Sequence, residues 1–297
     1  MALIIFPLHL CLQLVSLALF GSAIILLAIP KFLLPFSASQ DAIDRLLSWL
    51  LGNFGVTSVV LLNLFNRIEW DDTCHGDINQ NGWYLVTSNH QSYLDIILLL
   101  KWAHGRIPSP KFFIKQDLIW MPFIGQAAWA LDMPFMKRYS REQIRKKPTL
   151  RNQDVETTRK HCAKYKARPT TVINFIEGTR FTLAKHQKAG QKGSQLHHLL
   201  PPKAGGMAFT LASMGELFDQ VIDVTLIYPH NNGNVMFAML CGNLKKVVMR
   251  VNLANLDNDM IGDYYNDEQF KQQFQAKLNA QWQAKDQAIA QYLQQAE

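Results

Sequence analysis

The stretch Trp83-Tyr84-Leu85-Val86-Thr87-Ser88-Asn89-His90-Gln91-Ser92-Tyr93-Leu94-Asp95-Ile96-Ile97-Leu98-Leu99-Leu100-Lys101-Trp102 decides the fold class. Trp83 to Thr87 reads as a buried strand, a short apolar and aromatic run of the kind a covered sheet needs. Asp95 to Trp102 reads as an apolar helix that follows closely. A strand, a short polar turn and a helix make the repeating unit of an α/β domain, and functional groups gather at such turns. Ser92 with Asp95 three residues on predicts a capping box, which starts the helix and places Asp95 in its first turn.

The same texture continues outward. From Arg67 onward, short apolar runs are separated by polar turns. Thr170 to Ile176 is a second β-branched strand and Val221 to Tyr228 a third, while the aromatic-rich segment Lys115 to Met136 holds Pro122 and Gly125. In Tyr264 to Gln294, Phe270, Phe274, Leu278 and Trp282 stand four residues apart, one stripe of an amphipathic helix. Its polar face is rich in Gln and not basic, so the stripe is expected to pack on the domain.

The N-terminal region differs. Residues 1–30 contain no Lys, Arg, Asp or Glu, and Leu8 to Ile29 is about as long as the ~20 residues a bilayer-spanning helix needs. A cleaved signal peptide fits less well, because a positive leading segment is missing and Ala28-Ile29-Pro30 makes a poor cleavage site. A second uncharged stretch, Leu46 to Asn66, is diluted by Gly52, Asn53, Gly55 and Asn63 and can span, re-enter or lie along the surface. Lys31, Asp41, Asp44 and Arg45 between the two sum to zero and give no orientation.

Of 297 residues 48% are hydrophobic and 18% charged, which argues against disorder. Cys11, Cys74, Cys162 and Cys241 lie far apart without metal-ligand or paired spacing, so neither a disulfide scaffold nor a zinc ribbon is expected and a reducing compartment is the simplest home. The net charge of +7 is concentrated: Lys137 to Arg168 holds twelve Lys or Arg against three acids, and the rest of the chain sums to −2. That segment can face anionic head groups or phosphates, or form a solvated helical face. There is no internal repeat, no glycine-rich phosphate loop and no recognised nucleic-acid module, so no nucleic-acid partner is expected.

Two strand ends carry groups able to do chemistry. The Asp95 carboxylate can reach back to His90, and an imidazole held through one nitrogen presents the other as a proton acceptor. A helix cap beside an ordinary histidine is the alternative reading. Metal ligation lacks a third ligand at a recognisable spacing. Downstream, Phe175-Ile176-Glu177-Gly178-Thr179-Arg180 ends another strand, where Gly178 permits a tight turn and Arg180 offers a planar fork of donors for phosphate. Taken alone, the segment reads first as a surface turn with a local ion pair between Glu177 and Arg180.

Together the two segments, N-H-x-x-x-x-D and F-x-E-G-T-R, resemble the glycerolipid acyltransferase family, in particular the 1-acylglycerol-3-phosphate (lysophosphatidic acid) acyltransferases. Lys115-Gln116-Asp117-Leu118 with Pro122, Gly125 and Phe135-Met136-Lys137-Arg138 looks like that family's second block. Pro202 to Gly206 with Val221 to Tyr228 occupies its fourth. The resemblance covers about residues 80 to 230. Ile176, Lys137 and Asp223-Val224-Thr225 depart from the commonest pattern and look like the branch with lysophospholipid and lysocardiolipin acyltransferases.

The resemblance implies an α/β acyltransferase domain with a central mixed sheet flanked by helices, preceded by hydrophobic membrane helices. Residues 1–66 would then anchor, 67–250 catalyse and 251–297 form a C-terminal amphipathic extension. It implies acyl transfer from acyl-CoA or acyl-carrier protein, as co-substrate without a further cofactor or metal, to a lysophospholipid hydroxyl. His90 would be the base and Asp95 its orienter. Glu177, Gly178, Thr179 and Arg180 would bind the acceptor, with Lys115 and Arg138 as further phosphate contacts. The location would be a membrane, with the catalytic domain on the cytoplasmic side, the inner membrane in a bacterium. No oligomeric state follows. A non-enzymatic scaffold for anionic lipid is the competing class, and a lipid hydrolase is disfavoured because no G-x-S-x-G elbow is present.

Overall fold

The computed structural model describes residues 2–34, 36–136, 156–160, 162–231 and 233–295. The chain opens with a helical hairpin, α1 (Ala2–Leu33) and α2 (Ser37–Phe65). Then come β1 (Glu69–His75), β2 (Tyr84–Ser88), α3 (Leu94–Ala103), β3 (Pro110–Phe112), β4 (Ile114–Lys115) and α4 (Ile124–Ala130). They are followed by β5 (Phe135–Met136), β6 (Thr171–Phe175), α5 (Leu183–Gly190), α6 (Ala204–Met214), β7 (Gln220–Ile227), α7 (Val235–Leu240), β8 (Lys246–Asn255) and α8 (Glu268–Gln295).

Six strands form one sheet in the order β1-β8-β7-β2-β6-β3. β2 is parallel to both neighbours, with Ser88 opposite Phe175 of β6 and Val224 of β7, and only β7 and β8 run antiparallel. The expected mixed sheet flanked by helices is therefore the one observed. Every residue of β2 is buried, and its alternation divides the core. Tyr84 and Val86 pack with Val59 and Leu62 of α2 and Leu98 and Trp102 of α3. Leu85 faces the other way, towards Met207 and Leu211 of α6 and Phe274, Leu278 and Trp282 of α8. The C-terminal stripe thus packs on the sheet, as its Gln-rich opposite face predicts.

β2 lies where the chain changes direction across the sheet. The strands that follow it first add on the β6 side, and β7 is then laid down on the other side. The carboxyl ends of β6, β2 and β7 therefore point the same way across a topological switch point, the position at which open α/β sheets bind ligands.

The hairpin is joined to this domain along its length. Gly55 lets α2 touch α3, because a Cβ there would stand 2.7 Å from the Lys101 backbone nitrogen. Near its start α1 meets α7 through Phe6 and Phe237, whose ring centroids are 5.6 Å apart. At its far end Phe32 stacks on Trp129 and Lys31 pairs with Asp132 at 2.5 Å. Arg168 pairs with both Asp41 and Asp44 of α2. The outer face of α1 keeps Leu8, Leu14, Leu19, Leu26 and Ile29 exposed. Both helices are long and apolar enough to cross a membrane. Of the basic segment Lys137 to Arg168, residues 137–155, which include Arg138, lie outside the described residues.

Candidate active site

At the end of β2 the chain is held by Asn89, whose side chain donates to the Leu226 carbonyl and accepts from the Leu226 amide at 2.8 Å each. This clamp onto β7 fixes the next residue, His90. Its Nδ1 lies 2.8 Å from Asp95 Oδ2, and its ring stacks on Phe175 of β6 with centroids 4.0 Å apart.

Asp95 is fully buried and accepts four hydrogen bonds. Oδ2 takes the amides of Gln91 at 2.6 Å and Ser92 at 2.8 Å in addition to His90, and Oδ1 takes the Tyr228 hydroxyl at 2.5 Å. The expected capping box forms in its carboxylate half; the Ser92 hydroxyl accepts from the Leu94 amide, and the helix begins at Leu94. The two amides and the Tyr228 hydroxyl are donors, an arrangement suited to an Asp95 carboxylate that also takes the proton of Nδ1. Nε2 is left with its lone pair for a substrate. Burial, then the Asp95 charge, pushes the Tyr228 phenol well above its usual range, so it remains a donor.

The second segment is tied to the first. The Phe181 amide donates to the His90 carbonyl at 2.7 Å, and the Arg180 guanidinium lies 3.7 Å above the Tyr93 ring. Gly178 has φ of +63°, a conformation that favours glycine, and an added Cβ would press on Lys203. Lys185 donates to the Thr179 hydroxyl at 2.6 Å and to the Arg180 carbonyl at 2.9 Å, which holds two cations, Arg180 and Lys185, on one cationic rim.

Glu177 does not share that rim. It is fully buried, and among the described residues neither carboxyl oxygen has a hydrogen-bond partner. Burial first, and the nearby Asp95 charge, raise its pKa well above the usual carboxylate range, against the opposing pull of nearby His90 and Leu200 backbone groups. The carboxyl sits inside the turn, behind Gly178 and Arg180. Lys115 lies on β4, exposed and paired with Asp117 at 2.5 Å. In the sequence Tyr228 reads only as the end of a strand, and Lys185 as one lysine among several. The Tyr228 contact comes from tertiary placement, whereas Lys185 reaches back only five and six residues across the turn that leads into α5.

The sequence profile of the acyltransferase family matches residues 73–229, more than half of the chain. The chain belongs to the acyltransferase family. The 1-acyl-sn-glycerol-3-phosphate acyltransferase delta of Homo sapiens is 30% identical over 185 residues, covering 59% of this chain and 47% of that protein. The 1-acyl-sn-glycerol-3-phosphate acyltransferase 2 of Brassica oleracea is 26% identical over 153 residues, covering 49% and 37%. The chain thus spans about half the length of the curated relatives it matches. The crystal structure of the 1-acyl-sn-glycerophosphate acyltransferase PlsC from Thermotoga maritima superposes with a TM-score of 0.59 at 16% identity, covering 98% of this acyltransferase and 95% of that chain. This likeness establishes the shared fold, hairpin included.

Proposed function

We propose that this acyltransferase moves a fatty acyl group from a thioester, acyl-CoA or acyl-carrier protein, to the free glycerol hydroxyl of a lysophospholipid, 1-acylglycerol-3-phosphate first among them. The observation that carries the reading is His90, held through Nδ1 by a buried, four-coordinated carboxylate, beside a rim headed by Arg180. The names of the relatives support the acceptor.

His90 Nε2 takes the hydroxyl proton as the acceptor oxygen attacks the thioester carbonyl. Asp95 stabilises the imidazolium, and collapse of the tetrahedral species expels the thiolate, which recovers that proton. A thioester is already activated, so the residues need only deprotonate, position and stabilise charge. Arg180 and the neighbouring Lys185 bind the acceptor phosphate. The apolar outer face of α1 rests in lipid, where the acceptor resides. The domain faces the cytoplasm, where soluble acyl donors are found.

An acyl-transfer assay on membranes, with one labelled acyl-CoA and a panel of lysophospholipid acceptors, tests this reading. Fastest transfer to 1-acylglycerol-3-phosphate is expected. Preference for lysophosphatidylglycerol or lysocardiolipin would move the acceptor assignment, and absence of transfer from either thioester to any acceptor would favour the anionic-lipid scaffold.

A further inference from the structure

Residues 118–131, after Asp117 and before Asp132, contain no charged side chain. Their alanines and Leu131 point inward, but Leu118, Trp120, Met121, Phe123, Ile124 and Trp129 are exposed, Trp120 to 83%. The turn is built to hold them there. Gly125 allows the chain to double back, since a Cβ would stand 2.2 Å from the Leu118 carbonyl oxygen, and the Gln126 side chain ties to the Ile119 carbonyl at 2.9 Å. Phe123 is forced to φ of +63°, a strained conformation for a residue with a Cβ. A turn that spends strain to expose large apolar groups needs an apolar occupant.

The location identifies that occupant. Phe123 packs against Gly21 of α1, and Phe32 of α1 stacks on Trp129 with both rings exposed. The patch is therefore continuous with the outer face of the hairpin. Tryptophan at the most exposed point suits a lipid interface, where the ring lies among acyl chains and the N–H reaches the head groups. We propose that residues 118–124 form a second membrane contact, a wedge of the catalytic domain that enters the lipid surface beside α1.

The wedge also bears on the site, and in this respect it rests on the reading that the acceptor resides in a bilayer. β3 runs parallel to β6, so the chain leaves Phe112 at the sheet edge that carries His90. Phe112 stacks with Phe175, and Phe175 with His90. The wedge thus begins six residues after Phe112, the outer ring of this stack on the base.

The test uses the full chain bound to phosphatidylglycerol vesicles whose acyl chains carry bromine, which quenches tryptophan on contact. Of the seven tryptophans, Trp120→Phe should remove more than an equal share of the quenched fluorescence, with vesicle flotation unchanged. Trp49→Phe reports on α2 in parallel. Quenching as in the parent for Trp120→Phe, together with loss for Trp49→Phe, would overturn the wedge and leave the hairpin attachment standing. A chain that neither floats nor is quenched would refute the membrane attachment itself. A dimer in solution that Trp120→Glu dissociates, with Trp120-dependent quenching absent, would give the surface to a second copy and overturn the proposal.

Discussion

The two buried carboxyls at the ends of neighbouring strands are opposites. Asp95, past the end of β2, has four hydrogen-bond partners; Glu177, past the end of β6, is equally buried and has no hydrogen-bond partner among the described residues. Burial alone drives a carboxyl towards its neutral form, and donors drive it back. In the proposed reaction one segment supplies the carboxylate that steadies an imidazolium, while the other keeps its carboxyl inside the turn, where burial favours the neutral form, and offers Arg180 to the acceptor.

The contrast is tested first at its charged member. Asp95→Asn replaces the acceptor at Nδ1 by a group that can present a donor, and kcat should fall ~10²–10⁴-fold with membrane association unchanged. A variant within about twofold of the parent would break the comparison. Arg180→Ala comes next: the KM for acceptor should rise ~10-fold, with the KM for donor little altered. Arg180→Lys should recover only part of it, because an ammonium lacks the planar fork. If only the donor KM moved, the rim would belong to the thioester.

Tyr228→Phe sharpens the account. Loss of the hydroxyl leaves Asp95 Oδ1 without its donor, so the carboxylate becomes a stronger base and the imidazolium is favoured. The acid limb of the kcat/KM profile should shift to higher pH, with a rate loss of roughly 10-fold at pH 7. A purely structural hydroxyl would lower thermal stability and leave the limb in place.

The smallest effect concerns Glu177. Its folded pKa is raised, so the stability it allows is fully present below the unfolded value and is lost as pH rises towards the folded one. Glu177→Gln has no such proton to lose. Its stability relative to the parent should improve as pH increases above about 4.5, read by denaturant unfolding across that range. A difference independent of pH would mean that Glu177 is charged in the fold.

Much of this was legible in the sequence. The strand and helix around His90 carry local signals, and so do the strand before Glu177 and the Phe274, Leu278 and Trp282 stripe, so their elements were found to within a residue or a few. β1, an exposed and polar edge strand, has no apolar alternation to betray it. The Tyr228 hydroxyl reaches Asp95 only because β7 lies beside β2, and that pairing crosses more than a hundred residues of chain. The burial of Glu177 was hidden for the same reason: the 200-region that shields it comes from a later turn, tied in by the Lys203 amide on the Ile176 carbonyl at 2.7 Å and by Trp282 on the Leu200 carbonyl at 2.9 Å.

The central claim is that His90 is the base. The direct measurement is the rate of labelled acyl transfer from acyl-CoA to 1-acylglycerol-3-phosphate by membranes holding equal amounts of the parent and of His90→Ala. The parent is expected to transfer and the variant to be at least ~10²-fold slower while folded and membrane-bound. Transfer by His90→Ala at a rate near the parent's would contradict it.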